Sequence, residues 1–220
     1  MLEKQYQALA SMILEGDEDG VKSLTQECLA AGAAAGDILS KGLVPGMDVV
    51  GALFKKGERY IPEVLMSAQA MSTALDILRP LLSAADKAGA GTVVIGTVEG
   101  DIHNIGKDLV AMVLEGAGFN VIDLGIDVKP ETFVKAAREH APDIIAMSAL
   151  LTTTMPRMKA TVEALQEAGL RDRVKILAGG APVSDAYVRA IGGDAWAPDA
   201  AVAVDKARAL VAAGKKGGAK

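Results

Sequence analysis

Thr92-Val93-Val94-Ile95-Gly96-Thr97-Val98-Glu99-Gly100-Asp101-Ile102-His103-Asn104-Ile105-Gly106 is the stretch from which the fold of the whole chain is read. It opens as an apolar, β-rich run, Thr92 to Val98, and closes on a loop flanked by glycines. Beyond it, Lys107 to Glu115 sets Leu109, Val110, Val113 and Leu114 at helical spacing. A strand, a loop and a helix in that order put the loop at the carboxyl end of a parallel strand. Open α/β sheets bind their ligands along that edge. The loop is no dinucleotide fingerprint, because G-x-G-x-x-G is absent. Its centre offers instead an imidazole, His103, with a carboxylate, Asp101, two residues earlier. An Asp can accept one ring N–H of a His while the other nitrogen binds a metal.

Outward from this loop toward the C-terminus, strand and helix patterns alternate. Strands are expected at 92–98, 119–124, 143–148, 174–178 and 194–197, and helices at 104–116, 130–140, 156–169, 183–191 and 199–213. Apolar strands alternating with helices predict a parallel sheet covered on both faces. Five such units fit a flavodoxin-like (Rossmann-like), doubly wound α/β domain with a five-stranded parallel sheet. The tail 214–220, Gly-Lys-Lys-Gly-Gly-Ala-Lys, is expected to be flexible.

Toward the N-terminus the pattern is helical only. Leu2, Tyr6, Leu9, Ile13 and Leu14 form one stripe, ended at Gly16-Asp17, and Val21, Leu24, Cys28 and Leu29 form a second. A third helix is expected from about Asp37 to Phe54, and a fourth after Pro62, a residue that suits a first helical turn. Four helices with short connections predict an N-terminal four-helix bundle over residues 1–88. The Ala- and Gly-rich stretch Ser83 to Gly91 reads as a linker, with the α/β domain over 89–213.

Half of the 220 residues are hydrophobic but only 3% are aromatic, so Ala, Val, Leu, Ile and Met must build the core. A net charge of −5 without a long basic cluster argues against nucleic acid as a partner. Cys28 is the only cysteine, which excludes a disulfide framework and a thiolate zinc site. The N-terminus lacks a basic stretch followed by an apolar one, and no run of about 18 apolar residues exists, so neither a signal peptide nor a membrane span is expected. The expectation is a cytoplasmic protein.

The remaining strand ends line the same edge as the Asp101–His103 loop. After the third strand, Ser148-Ala149-Leu150-Leu151-Thr152-Thr153-Thr154 offers a cluster of hydroxyls for a polar ligand. After the fourth comes Gly179-Gly180, where missing side chains let a ligand approach the backbone. After the fifth comes Pro198-Asp199-Ala200-Ala201, again small.

G-D-x-H-x-x-G (Gly100 to Gly106), then S-x-L (Ser148 to Leu150), then G-G (Gly179-Gly180), in this order, resembles the cobalamin-binding domain. Upstream, Pro45-Gly46-Met47-Asp48-Val49-Val50-Gly51 with Phe54, Ile61-Pro62-Glu63-Val64 and Ser67-Ala68 resembles the helical cap of cobalamin-dependent methionine synthase. The resemblance spans almost the whole chain. Among stand-alone proteins of this length it points to the corrinoid (methyl-carrier) proteins of methyltransferase systems.

The resemblance implies cobalamin bound base-off/His-on, its dimethylbenzimidazole tail detached and His103 taking its place as lower cobalt ligand. Asp101 matches the carboxylate that orients that His and shares a proton with it. Ser148, Leu150, Gly179 and Gly180 match the slot for the tail, and Thr152 and Ala200 match further cofactor contacts. Gly100, Asn104, Ile105 and Gly106 complete the loop around the histidine. Methionine synthase has a serine hydroxyl on the Asp; here that position is Thr154, which retains the hydroxyl on a bulkier side chain. In the cap, Phe54 and Ile61 match apolar residues that cover the upper face of the corrin. The implied function is a methyl shuttle: Co(I) accepts a methyl group from a methylamine, methanol, betaine or aryl methyl ether through a substrate-specific methyltransferase. A second methyltransferase passes it to tetrahydrofolate or coenzyme M, and an ATP-dependent corrinoid reductase rescues oxidised cobalt.

Each residue also has a plainer reading. A chance D-x-H-x-x-G arises in roughly one or two per cent of chains this long. Gly179-Gly180 alone is a turn, and Phe54 and Ile61 alone are bundle core. His140, late in a helix, and the run Arg171-Asp172-Arg173 read as solvent-facing. The competing functions are a cobalamin-dependent regulator or sensor, the cobalamin subunit of a mutase, and a cofactor-free α/β interaction domain. No basic helix-turn-helix segment supports the first, and the methionine-synthase-like cap argues for methyl transfer over the second.

Overall fold

The change of period near residue 90 becomes a change of architecture in the computed structural model, which describes residues 2–82 and 90–217. The chain divides into two compact units, Met1–Gly89 with Met112–Phe119, and Ala90–Ala111 with Asn120–Lys220. The expected linker falls, as far as residue 89, outside the described residues.

In the helical unit, α1 (Leu2–Glu15) buries Tyr6, Leu9 and Ile13, and α2 (Glu18–Ala30) buries Val21, Thr25 and Cys28. Asp17 starts α2 by accepting the Gly20 amide at 3.0 Å, which satisfies one of the free N–H groups of a helix start. The third expected helix is not continuous. A short α3 (Ala35–Asp37) passes into a π-helical turn, Ile38–Leu43, before α4 (Val44–Lys55). Pro45 supplies the reason: it has no N–H to donate and its ring crowds the carbonyl four residues earlier, so the wider turn absorbs the misfit. Close packing follows, because a Cβ on Gly46 would sit 2.7 Å from the Ala10 carbonyl oxygen and 2.8 Å from Ile13 Cβ. The fourth rod, α5 (Ile61–Leu78), carries Pro62 in its first turn, and Glu63 accepts the Tyr60 amide at 2.9 Å. It buries Val64, Ala68, Met71, Leu75 and Leu78.

The second unit holds the sheet. Strands β1 (Thr92–Thr97), β2 (Asn120–Asp123), β3 (Ile144–Ser148), β4 (Lys175–Gly179) and β5 (Ala195–Ala197) pair in parallel in the order β2-β1-β3-β4-β5. Between and after them run α6 (Ile105–Gly116), α7 (Pro130–His140), α8 (Met155–Glu167), α9 (Asp185–Ala190) and α10 (Ala200–Gly217). The direction of winding reverses at β1, so right-handed crossovers divide the helices between two faces, the flavodoxin-like arrangement. Burial follows the sequence pattern: β1, β3 and β4 are apolar through their centres, and Phe133, Met158 and Val188 pack against them from the helices. A Cβ on Gly96 would lie 2.9 Å from Phe133 Cζ, so the ring rests directly on β1.

Two expectations on this unit change. The last helix continues to Gly217 instead of ending at 213; residues 218–220 lie outside the described ones. Arg171 is not solvated. It lies in a 3₁₀ turn, Arg171–Arg173, with its side chain 18% exposed, and donates to the carbonyls of Gly192 (Nε, 3.1 Å) and Val174 (Nη1, 3.1 Å) and to Asp194 (Nη2, 2.8 Å). Asp194 in turn accepts the Ile176 amide at 2.7 Å, so the guanidinium fork ties the start of β4 to the turn before β5. His140 is exposed, as read from the sequence. No described helix is long and apolar enough to cross a membrane.

Candidate functional site

The sheet ends in a row. In register, Thr97 lies beside Ser148, Ser148 beside Gly179 and Gly179 beside Ala197. The loop after β1 grows from this row by a turn closed between the Asp101 amide and the Val98 carbonyl at 3.1 Å. Gly100, third in that turn, has φ +82, a backbone conformation that L side chains rarely adopt.

The turn drives the Asp101 side chain inward, where it is fully buried. Burial alone raises the pKa of a carboxylate, yet this one is held well below the usual range. The His103 ring, the Leu150 amide, the Thr154 hydroxyl and the His103 amide all donate to it and outweigh the desolvation. The distances are 2.7 Å from His103 Nδ1 and 3.1 Å from His103 N to Oδ1, and 2.8 Å from Leu150 N and 2.7 Å from Thr154 Oγ1 to Oδ2. The Leu151 amide adds a longer bond at 3.3 Å. Thr154 Oγ1 also lies 2.9 Å from the Leu151 carbonyl, but a hydroxyl has one proton, and the charged acceptor takes it.

An ionised carboxylate can only accept, so Nδ1 of His103 carries the ring proton and Nε2 the lone pair when the imidazole is neutral. That nitrogen belongs to a ring whose side chain is 47% exposed. Around it the edge is apolar: Ile102, Ile105, Ile126, Leu150 and Leu151 are all exposed, Ile105 to 81%. Among the described residues, no three His, Cys, Asp or Glu side chains converge as a metal-ligand set. A metal bound at His103 must therefore bring most of its own ligands, as a macrocycle does.

Of the residues read from the sequence, the structure brings Gly100, Asp101, His103, Leu150 and Thr154 into one hydrogen-bonded cluster. Asn104, Ile105 and Gly106 lie exposed at the start of α6, and the Asn104 carbonyl accepts the Asp108 amide at 2.7 Å. A Cβ on Gly106 would meet nothing within 4 Å, and no positive φ demands glycine there, so the protein itself does not need the bare backbone. The reverse holds for Gly179 and Gly180. A Cβ on Gly180 would fall 1.9 Å from the Ala149 carbonyl oxygen, and one on Gly179 2.8 Å from that of Ala197. These glycines let neighbouring strand ends approach one another, a structural demand beyond the ligand approach read from the sequence. Ser148 is half-buried at the end of β3, Thr152 is exposed in the following loop, and Ala200 is buried at the start of α10. Phe54 and Ile61 belong to the helical unit, the first half-buried near the end of α4 and the second exposed at the start of α5.

Three residues carry the site without having been singled out. Buried Thr97 donates its hydroxyl to the His103 carbonyl at 2.9 Å. Lys107, its side chain 1% exposed, bridges Asp108 at 2.6 Å and Asp123, tying the first turn of α6 to the end of β2. Asp127, in the loop after β2, accepts the Gly100 amide at 2.6 Å. A buried Lys next to the glycine of H-x-x-G is the one signal that was available; Thr97 and Asp127 show none.

Residues 91–205 match a family model described as a B12 binding domain, and residues 5–79 match a second model of the same description. The chain is 44% identical to a corrinoid protein of Desulfitobacterium hafniense over 206 residues, 92% of this chain and 95% of that one. It is 45% identical to trimethylamine corrinoid protein 1 of Methanosarcina acetivorans over 201 residues, 90% of this chain and 93% of that one. Among solved structures, a methanol:cobalamin methyltransferase complex from Methanosarcina barkeri matches with a TM-score of 0.85 at 34% identity, covering 95% of this chain and 80% of that one.

Two outcomes are expected from the geometry. Thr154→Val removes a donor from a buried carboxylate and is expected to destabilise the chain by about 1–3 kcal/mol in chemical denaturation, whereas Thr154→Ser, which keeps the hydroxyl, costs less than about 1 kcal/mol. Asp101 has its folded pKa below the unfolded one. Its contribution to stability is therefore present above the ordinary carboxylate range and fades as pH falls through and below it. The stability gap between wild type and Asp101→Asn is expected to narrow from about pH 6 to about pH 3, measured by thermal melting; a constant gap contradicts the assignment.

Proposed function

This chain belongs to the corrinoid proteins of methyltransferase systems built on the B12 binding domain, with cobalamin as cofactor, and from that premise we propose that it shuttles a methyl group between two methyltransferases with His103 as lower cobalt ligand. The methyl donor proposed is a one-carbon compound of the methylamine or methanol type, loaded by a substrate-specific partner. Support for that class comes from the trimethylamine corrinoid relative and from the methanol methyltransferase complex. A second methyltransferase, acting on tetrahydrofolate or coenzyme M, removes the methyl group, and an ATP-dependent corrinoid reductase is the third partner the reading requires. The setting proposed is the cytoplasm.

The residues fit the cofactor. A single imidazole on an apolar sheet edge suits a metal that already carries a planar ring of nitrogens. Gly106, bare where the protein needs no bare backbone, leaves open space three residues after His103. The observation that carries the reading is the 2.7 Å bond from His103 Nδ1 to Asp101, which commits one ring nitrogen and leaves Nε2 for cobalt.

When bound, cobalamin supplies a cobalt centre able to take up a methyl group as a cation and to release it again. The chain's own work is done around that centre. Asp101 fixes the tautomer and tilt of His103 through its hydrogen bond. The Leu150 amide and the Thr154 hydroxyl keep the carboxylate ionised, so the ring proton stays on Nδ1. If Nε2 leaves the metal, that nitrogen is free to take a proton, and the charged ring stays paired with Asp101. Ile102, Ile105, Leu150 and Leu151 offer apolar surface whose cover by a ligand releases water, at about 25 cal/mol for each Å² buried. Ser148, Thr152, Gly179, Gly180 and Ala200 are proposed as contacts of the displaced nucleotide tail.

The test is a single-turnover assay. The full chain, loaded with cobalamin and reduced without oxygen, is mixed with a trimethylamine-, dimethylamine- or methanol-specific methyltransferase and its substrate. One methyl group per cobalamin is expected with one of the three, and its loss on adding a coenzyme M or tetrahydrofolate methyltransferase with its acceptor. Stoichiometric cobalamin binding without methyl uptake from any donor contradicts the carrier reading.

A further inference from the structure

The loop that carries Asp101 and His103 is held from its far side by a residue in another crossover. Asp127 lies between β2 and α7 and makes two opposed hydrogen bonds to one short span. Its carboxylate Oδ1 accepts the Gly100 amide at 2.6 Å, and its own amide donates to the Asp101 carbonyl at 3.0 Å. The two bonds bracket the Gly100–Asp101 pair, whose backbone sets the direction of the buried carboxylate.

To reach this position Asp127 adopts φ +53. Asp and Asn are the side-chain-bearing residues that tolerate that region best, because a short polar group can bond locally. The loop itself is anchored on β1. The Gly125 carbonyl accepts the Thr97 amide at 3.0 Å, and the Val128 amide donates to the Thr97 carbonyl at 2.9 Å. Asp127 is thus carried on a short segment fastened at both ends to the strand from which the His103 loop departs. Its side chain is exposed, so its conformation is fixed by these bonds and not by packing.

We infer that Asp127 is a positioning residue for the Asp101–His103 pair, acting through the backbone of Gly100 and Asp101 to set the aim of the imidazole. Its effect on cobalt ligation rests on the lower-ligand role proposed above for His103; its hold on the loop does not. Asp127→Gly keeps the positive φ without strain and removes only the carboxylate. Asp127→Asn keeps an oxygen acceptor and tolerates the same φ.

The first readout needs no cofactor. In the unloaded full chain, magnetic resonance follows solvent exchange of the Gly100 amide proton and of the His103 Nδ1 proton. Asp127→Gly is expected to speed exchange of the Gly100 amide about tenfold, the scale of one lost hydrogen bond, and to speed that of the ring proton as well. Asp127→Asn is expected to match wild type. Unchanged exchange in Asp127→Gly, or an Asp127→Asn variant as altered as Asp127→Gly, overturns the inference.

The second readout uses the chain loaded with cob(II)alamin. Asp127→Gly is expected to bind the cofactor and to show a smaller fraction of cobalt with a protein nitrogen in its electron-spin spectrum. A fraction equal to wild type overturns the proposed effect on aim. If wild type itself shows no protein nitrogen while the exchange effects hold, the lower-ligand reading fails and the hold of Asp127 on the loop stands.

Discussion

A fully buried carboxylate without a fixed cation beside it is the constraint on which this site depends. Removing Asp101 from water is costly unless every lone pair finds a donor. The chain meets that demand with amides from the loop after β3, a hydroxyl at the start of α8, and the amide and ring of His103. These donors come from segments about fifty residues apart, so the carboxylate joins the ends of two adjacent strands. The histidine ring is oriented as a by-product of solving a burial problem. That is why its tautomer is determined by the fold before any ligand arrives.

The sheet provides the precision. Val98 donates to the Ser148 carbonyl at 3.0 Å, and Ala149 to that of Gly179 at 3.3 Å, so the loops leave the sheet already registered to one another. Glycine at 180 permits the closest approach, with Ala149 just where a side chain would otherwise be. On the opposite flank, Lys107 bonds Asp123 and Asp108, bringing a buried cation to the first turn of α6. A cation there opposes the helix dipole, and its two carboxylate partners offset that cost. Rigid loops on a rigid edge give a ligand atom a defined place to bind, and the exposed isoleucines and leucines around it supply the area.

Much of this was legible because it repeats. Strand–helix alternation and the apolar cores of β1, β3 and β4 gave the sheet, and D-x-H between a strand and a helix gave the hydrogen-bonded Asp101–His103 pair. Thr154 was legible through its separation from Ser148, and its hydroxyl does reach Asp101. What escaped was single and non-periodic. Asp127 acts 27 residues from Gly100 in sequence, with no pattern to announce the pairing. Thr97 looked like a strand residue because it is one, and only its position at the last pleat turns its hydroxyl to the loop. The π-helical turn before Pro45 was hidden because a proline inside an apolar helical stripe leaves the period intact. Gly179-Gly180 was located from its sequence, but its second reason was not legible there, since only the folded sheet shows that the Ala149 and Ala197 carbonyls also need the room. Arg171 read as solvated because its acceptors, two carbonyls and Asp194, come together only when β4 and β5 pair.

The most direct measurement of the central claim is the electron-spin resonance spectrum of the full chain loaded with cob(II)alamin, prepared once with natural histidine and once with ¹⁵N-labelled histidine. Ligation by His103 Nε2 predicts threefold superhyperfine splitting that becomes twofold on labelling, unchanged in His140→Ala and absent in His103→Ala. Threefold splitting that ignores the label would show the cofactor's own base still on cobalt, and would contradict the account at its core.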